Sequence, residues 1–233
     1  MAEALVEAGA NVAICSRGKH GDLNEAKNQL NLNDSTILTY KCDLSNSDEI
    51  EDMVTHFSEN NFPIDILINN AGLSWGEPSE SLSLENWQKI IDVNLTAPFL
   101  LSKLIVDEFM ITNEKGSIIN IASLTGFKGL EVGVAGYSSS KAGMLGMTRQ
   151  MAIEWASYNI RVNAIAPSWF PSYATRHFTA DISPFKERLI EENPMNRLGE
   201  PWELKGIIVF LASEASSYIT GATIPVDGGL LAK

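Results

Sequence analysis

The sequence predicts an α/β fold built on an open, doubly wound parallel sheet, and three observations predict it. Short apolar runs alternate with amphipathic stretches along all 233 residues. The runs are nearly continuous in Val, Ile and Leu, as in strands covered on both faces; a sheet with one wet face would alternate apolar and polar residues. No internal repeat, low-complexity tract or linker breaks the pattern, so residues 1–233 read as one domain.

Each element follows from its own residues. Ala2 to Ala8 reads as a helix, and Gly9 suits the left-handed position that ends one. Val12 to Cys15 is the first strand, followed by a helix over about 22–32 and a strand over Thr36 to Tyr40. Ser47, ahead of Asp48 and Glu49, reads as the N-cap of a helix over 47–60 with acid in its first turn. Ile64 to Ile68 is a third strand, and a long helix covers 83–111. Pro98 stands four residues after Asn94 and has no N–H for the Asn94 carbonyl, so this helix is expected to kink there. Ile118 to Ile121 and Arg161 to Ile165 are strands on either side of a helix over 137–158, and Pro167 ends the second of them. A helix over 200–213 and a strand over Thr223 to Val226 close the chain.

Bulk properties narrow the function. The net charge is −12 and the pI about 4.7, so phosphate backbones are repelled and nucleic acid is not an expected partner. No apolar run reaches the roughly 20 residues that span a bilayer. The start, Met1-Ala2-Glu3-Ala4, has no basic region followed by an apolar core, so neither a membrane nor a secretory route is expected. Cys15 and Cys42 have no metal-ligand spacing and read as small buried thiols in a reducing, cytoplasmic setting.

The chemistry is concentrated in Gly136-Tyr137-Ser138-Ser139-Ser140-Lys141, where a phenol and an ammonium stand four residues apart. On a helix the two share a face. Free tyrosine titrates near about 10, too high for acid–base work at neutral pH. A cation at roughly 4 Å is worth up to about 4 kcal/mol at an effective dielectric of about 20. Desolvation of the phenolate opposes it, and the expectation is a phenol lowered by its neighbour. Such a tyrosine gives a proton to a carbonyl oxygen or takes one from an alcohol.

Four motifs carry a resemblance over essentially the whole chain: Asn69-Asn70-Ala71-Gly72 after a strand, Ser123 at the end of another, Tyr137-xxx-Lys141, and Pro225-Val226-Asp227-Gly228-Gly229. In that order they resemble the short-chain dehydrogenase/reductase family. The resemblance implies a Rossmann-like, three-layer α/β/α fold and an oxidoreductase that uses NADP(H) or NAD(H) on a secondary alcohol or ketone. It implies Tyr137 as acid/base, Lys141 as its tuner and a holder of the nicotinamide ribose, Ser123 as the group orienting the substrate oxygen, and Asn94 as support for a proton relay through a water. It places Asn70, Ala71 and Gly72 beside the adenosine, Asp43 and Leu44 at the adenine ring, and Pro167 near the nicotinamide. For Ser123 the alternative is a serine capping a backbone amide, and for Asp43 an Asx turn. Ser16 and Arg17 follow the first strand, where an acidic residue would reject a 2′-phosphate; a hydroxyl and a guanidinium favour NADP over NAD.

Two departures stand out. The family opens with a strand and a turn of the form T-G-x-x-x-G-x-G, whereas Met1 to Ala8 resembles the second half of the helix that follows that turn. The domain is therefore expected to be N-terminally incomplete, with two strands lacking a partner, poor cofactor binding and low stability. A non-catalytic subunit or binding module is the alternative reading. Ser168 replaces the family's glycine after Pro167, which is expected to alter the loop beside the nicotinamide.

Residues 168–196 resemble the family's substrate lid and hold Trp169, Phe170, Tyr173, His177, Phe178 and Phe185 with the cations Arg176, Lys186 and Arg188. The aromatics suit a cover that excludes water, and the cations a substrate carboxylate. Trp75 could wall the same pocket. Asn193 to Gly206 is most similar to gluconate 5-dehydrogenase-type members, and 3-oxoacyl-carrier-protein reductases share much of it. A small-molecule substrate and a homo-oligomer, tetramer or dimer, follow from the same resemblance.

Overall fold

The computed structural model describes residues 1–18, 22–30, 35–173 and 175–233. Helix α1 (Ala2–Glu7) leads to β1 (Val12–Ser16), α2 (Leu23–Leu30), β2 (Ile37–Lys41), α3 (Ser47–Glu59) and β3 (Ile66–Asn69). Next come α4 (Leu84–Ile91), α5 (Ala97–Ile105) and α6 (Ile111–Asn113), joined by two π-helical segments into one continuous rod. Strand β4 (Gly116–Ile121), α7 (Ala135–Trp155) and β5 (Ile160–Pro167) form the centre. Two short helices, α8 (Arg176–Thr179) and α9 (Lys186–Glu192), precede α10 (Leu204–Ala212) and β6 (Thr223–Val226). The predicted strands and helices are all present; positions 31 and 32 of the predicted 22–32 helix lie outside the described residues.

All pairings are parallel, as a βα alternation demands. Two strands were expected to lack a partner, and the ladders accordingly fall into two groups. β1 pairs with β2, and β3, β4, β5 and β6 pair in that order, with no ladder joining β1 to β3 among the described residues. β1 pairs with β2 alone and β3 with β4 alone among the described residues, so each has a single ladder.

Helices cover both faces, and the register of β4 makes this visible. Ile118 points into a core with Ile50, Phe57, Leu101, Ile105 and Met110, under α3 and the α4–α6 rod. Its neighbour Ile119 points the other way, onto Ile208 and Leu211 of α10. Burying each such side chain is worth about 1.5–3 kcal/mol. Helix α1 is tied to α10 by Lys205, whose ammonium lies 2.9 Å from Glu3 and 2.8 Å from Glu7. Among the described residues no helix is long and apolar enough to cross a membrane.

Local chemistry sets two boundaries. Gly9 follows α1 at φ +89°, as expected of a left-handed terminator. The N-cap of α3 is Asn46 rather than Ser47: the Asn46 side chain accepts from the Asp48 N–H at 3.0 Å, which makes Ser47 the first helical residue.

Candidate active site

In each sheet the carboxyl ends of the parallel strands lie along one edge, and every predicted site residue outside the helices sits there. Ser123 follows β4 by two residues. Its hydroxyl accepts the Thr125 N–H at 3.2 Å, capping a 3₁₀ turn over Leu124–Gly126. It also lies close enough to the Tyr137 phenol to oppose its upward shift. The capping alternative weighed for Ser123 is thus realised, with its hydroxyl beside the tyrosine.

Tyr137 is in the first turn of α7 and Lys141 one turn further on. The Lys141 ammonium is buried, lies 5.7 Å from the centre of the Tyr137 ring, and donates to the Ile121 carbonyl at 2.6 Å. The end of β4 thus holds the amine beside the phenol. The electrostatics differ from the expectation. Burial raises the Tyr137 phenol above its ordinary value, and the Ser123 hydroxyl only partly offsets this. Burial lowers Lys141 to about 8. Desolvation outweighs mutual attraction here, and each group is pushed toward its neutral form.

Asn94 lies in the π-helical segment Asp92–Thr96, where the Ala97 N–H reaches back five residues to the Asp92 carbonyl. The predicted kink is therefore a π-bulge: Pro98 has no N–H, and the extra residue lets the rod continue. The Asn94 side chain is fully buried and pairs with both backbone polar groups of one residue, accepting from the Leu73 N–H at 2.7 Å and donating to the Leu73 carbonyl at 2.8 Å. The loop after β3 is also pinned at its root. Asn69 donates to Ser102 at 3.0 Å and to Asn120 at 2.8 Å, and Asn120 donates to Thr148 at 2.9 Å. Gly72 passes beside both catalytic-side groups; a Cβ there would lie 3.7 Å from Asn94 Oδ1 and 3.8 Å from Lys141 Nζ.

The β1–β2 side carries the remaining candidates. Ser16 Oγ accepts from the Gly18 N–H at 3.0 Å, shaping the turn that presents Arg17. The Arg17 guanidinium is 3.9 Å from the Asp43 carboxylate. Asp43 also forms the Asx turn weighed for it: one oxygen accepts from Ser45 N–H at 3.0 Å and Ser45 Oγ at 2.7 Å. Leu44 packs on the main core, while Asn70 is exposed just beyond β3. Pro167 ends β5 opposite Val226, and the Ser168 Oγ behind it is buried with no hydrogen-bond partner among the described residues. These groups suit the ends of a nicotinamide dinucleotide: a guanidinium and hydroxyl at one end, an ammonium and a hydroxyl-bearing strand end at the other.

Between Ser123 and Tyr137 the chain borders a cavity of about 870 Å³, walled by Phe127, Leu130, Val132, Phe178, Phe185 and Leu189 among others. Trp169 separates it from a smaller pocket of about 140 Å³ beneath Ser168. The lid aromatics stack on one another, Trp169 on Phe178 at 5.4 Å and Phe178 on Phe185 at 5.5 Å. The lid cations are engaged within the protein. Arg176 lies over the Tyr173 ring at 3.6 Å, Lys186 pairs with Asp181, and Arg188 bridges Glu131 at 2.6 Å and Glu192 at 2.7 Å. Lys128, which the sequence reading passed over, lines the cavity outside any ion pair among the described residues. Its position just after Ser123 to Gly126 was the available signal. Trp75 is 46% exposed and is not among the residues lining the cavity.

Residues 1–231 match a family model described as enoyl-(acyl carrier protein) reductase. The chain is 33% identical over 232 residues to a 2-dehydro-3-deoxy-D-gluconate 5-dehydrogenase of Formosa agariphila, covering 100% of this chain and 87% of that protein. It is 37% identical over 200 residues to a 3-oxoacyl-[acyl-carrier-protein] reductase of Synechocystis, covering 85% and 78%. Among solved structures, a gluconate 5-dehydrogenase from Burkholderia cenocepacia, in complex with NADP and tartrate, superimposes with a TM-score of 0.92 at 30% identity, covering 100% of this chain and 90% of that one. With its motifs in order, its hydroxyl, phenol and amine brought together at one sheet edge, and these similarities over its full length, the chain belongs to the short-chain dehydrogenase/reductase family of oxidoreductases.

Proposed function

We propose that this protein interconverts a secondary alcohol and a ketone on a hydroxy acid of the sugar-acid class, with NADP(H) as the preferred cofactor. The meeting of Ser123, Tyr137 and Lys141 at the carboxyl edge of the four-stranded sheet carries the reading. When bound, the nicotinamide supplies or accepts the hydride. The chain's own groups do the rest. Tyr137 gives its proton to the carbonyl oxygen in reduction and takes the alcohol proton in oxidation. Ser123 hydrogen-bonds the same oxygen and so fixes its distance from the phenol. Lys141, lowered to about 8 in its buried site and still largely an ammonium at pH 7, can pass a proton to the phenol and hold the ribose hydroxyls beside Gly72. Asn94 fixes the loop on which Gly72 rides.

Arg17 supports NADP: with 43% of its side chain exposed at the end of β1, its guanidinium suits a 2′-phosphate. Ser16, Asp43, Leu44, Asn70 and Ala71 would line the adenosine side and Pro167 the nicotinamide side. The substrate class is supported by the sugar-acid relatives and by Lys128, a cation in the cavity wall free to meet a carboxylate. Self-association into a dimer or tetramer is supported by Phe99, 50% exposed, and Ile153, 77% exposed, on the helices that flank the site. The two free thiols suit a reducing cytoplasm.

A second reading, reduction of a 3-oxoacyl thioester, is favoured by one observation, the apolar wall of the 870 Å³ cavity. A substrate panel read by cofactor absorbance separates the two. The sugar-acid reading predicts turnover of a 2-dehydro-3-deoxy sugar acid, faster with NADPH than with NADH. Turnover confined to acetoacetyl thioesters would replace it with the second.

A further inference from the structure

Helix α7 starts poorly by local rules. Its N-cap is Val134, which offers no side-chain acceptor to the unpaired N–H groups of the first turn. Its second residue is Gly136, which costs about 1 kcal/mol of helix propensity relative to alanine. Close packing favours the glycine: a Cβ there would stand 2.9 Å from the buried Ile90 Cδ1, which would have to shift, and 3.6 Å from the Trp87 ring on α4. Yet this weak turn carries Tyr137, whose phenol must be held to within a fraction of an ångström for proton transfer.

One hydroxyl counters the fraying. Ser140 Oγ donates to the Tyr137 carbonyl at 2.7 Å and accepts from Asn94 Nδ2 at 3.0 Å. Asn94 in turn holds both polar groups of Leu73. Ser140 and Asn94 have no exposed surface, so no water replaces a lost bond and each break costs the full desolvation of the groups left behind. The run Leu73–Asn94–Ser140–Tyr137 therefore links the loop after β3, the π-bulge and the start of α7. Ser138 and Ser139, in the same serine run, are half-buried and exposed respectively and make no such link.

We propose that Ser140 is a positioning residue for the reaction: its hydroxyl locks the first turn of α7, and with it the Tyr137 phenol, to the loop that follows β3. The proposal rests on Tyr137 as the proton-transfer group. The test is Ser140→Ala, which removes one oxygen atom, fills no space and keeps a strong helix former. Loss of one buried hydrogen bond is expected to lower kcat about tenfold while KM stays within about twofold. Amide exchange over residues 135–141, read by mass spectrometry without substrate or cofactor, is expected to quicken about tenfold. In the Asn94→Ala background the same change should cost almost nothing more, because the chain is already cut. A wild-type kcat, unchanged exchange, or losses that multiply in the double variant would each overturn the proposal. Full turnover in Tyr137→Phe would instead overturn the reading beneath it, which keeps the two failures apart.

Discussion

The two sheets of this molecule are built to different standards. In the four-stranded sheet, all six residues of β4 are buried; the ladder to β5 runs its whole length and that to β3 covers Ser117 to Asn120. In the two-stranded sheet, only Val12 of β1 and Ile37 of β2 are buried, and each strand has one partner. The hydroxyl, phenol and amine proposed for catalysis lie at the edge of the first; the groups proposed for a nucleotide's adenosine end lie at the edge of the second. On that proposal proton chemistry rests on a well-buried platform, and nucleotide grip on one with much less tertiary support.

The comparison can be broken most sharply on the catalytic side. Tyr137→Phe keeps the ring and its packing but removes the proton, and should cut turnover about 10²- to 10⁴-fold with cofactor binding, followed by fluorescence, retained. Wild-type turnover would show that the rigid half does not carry the chemistry. Stability offers the next test, by urea unfolding. Ile118→Ala, in the fully buried β4, should cost about 2–5 kcal/mol, whereas Ile14→Ala, half-buried in β1, should cost about 1 kcal/mol. Equal costs would erase the distinction between the sheets.

Lys141 gives a third, smaller effect, in pH. Its folded value, about 8, lies below the ordinary 10.5, so between those values the unfolded chain binds more protons than the folded one. Unfolding free energy should therefore rise as pH increases from about 8 toward 9. Above that the buried thiols, Cys42 raised to about 12 and Cys15 raised likewise, and then the raised Tyr137 phenol act in the opposite sense, because the unfolded groups ionise first. Lys141→Met should abolish the rise between pH 8 and 9; its persistence would assign the effect to another group.

What the sequence made legible tracks this same division. The apolar runs of β4 and β5 and the Tyr137–Lys141 spacing mark buried elements whose environment is fixed by their own composition. Helix ends were less clear, because Asn46 and Ser47 are both capable caps and only geometry selects the first. The direction of the Tyr137 shift was not legible, since spacing reports who stands beside the phenol and not how much water it has lost. Ser140 was hidden among three serines; the one clue was its position three residues after Tyr137, where a hydroxyl can reach back to a helical carbonyl. Arg188 read as a cation for substrate, and its capture by Glu131 and Glu192, 57 and 4 residues away, depends on long-range folding.

That capture has a consequence for how the cavity is held. Glu131 belongs to the stretch joining Ser123 to Tyr137, and Arg188 belongs to the lid, so their bond fastens one wall of the cavity to the other. Both side chains are mostly in water, 58% and 78% exposed, where mobile counterions weaken such attraction over about 8–10 Å at physiological ionic strength. The proton-transfer groups lie beyond that screening. Brine would therefore slacken the two walls of this cavity well before it disturbed the buried pair on α7.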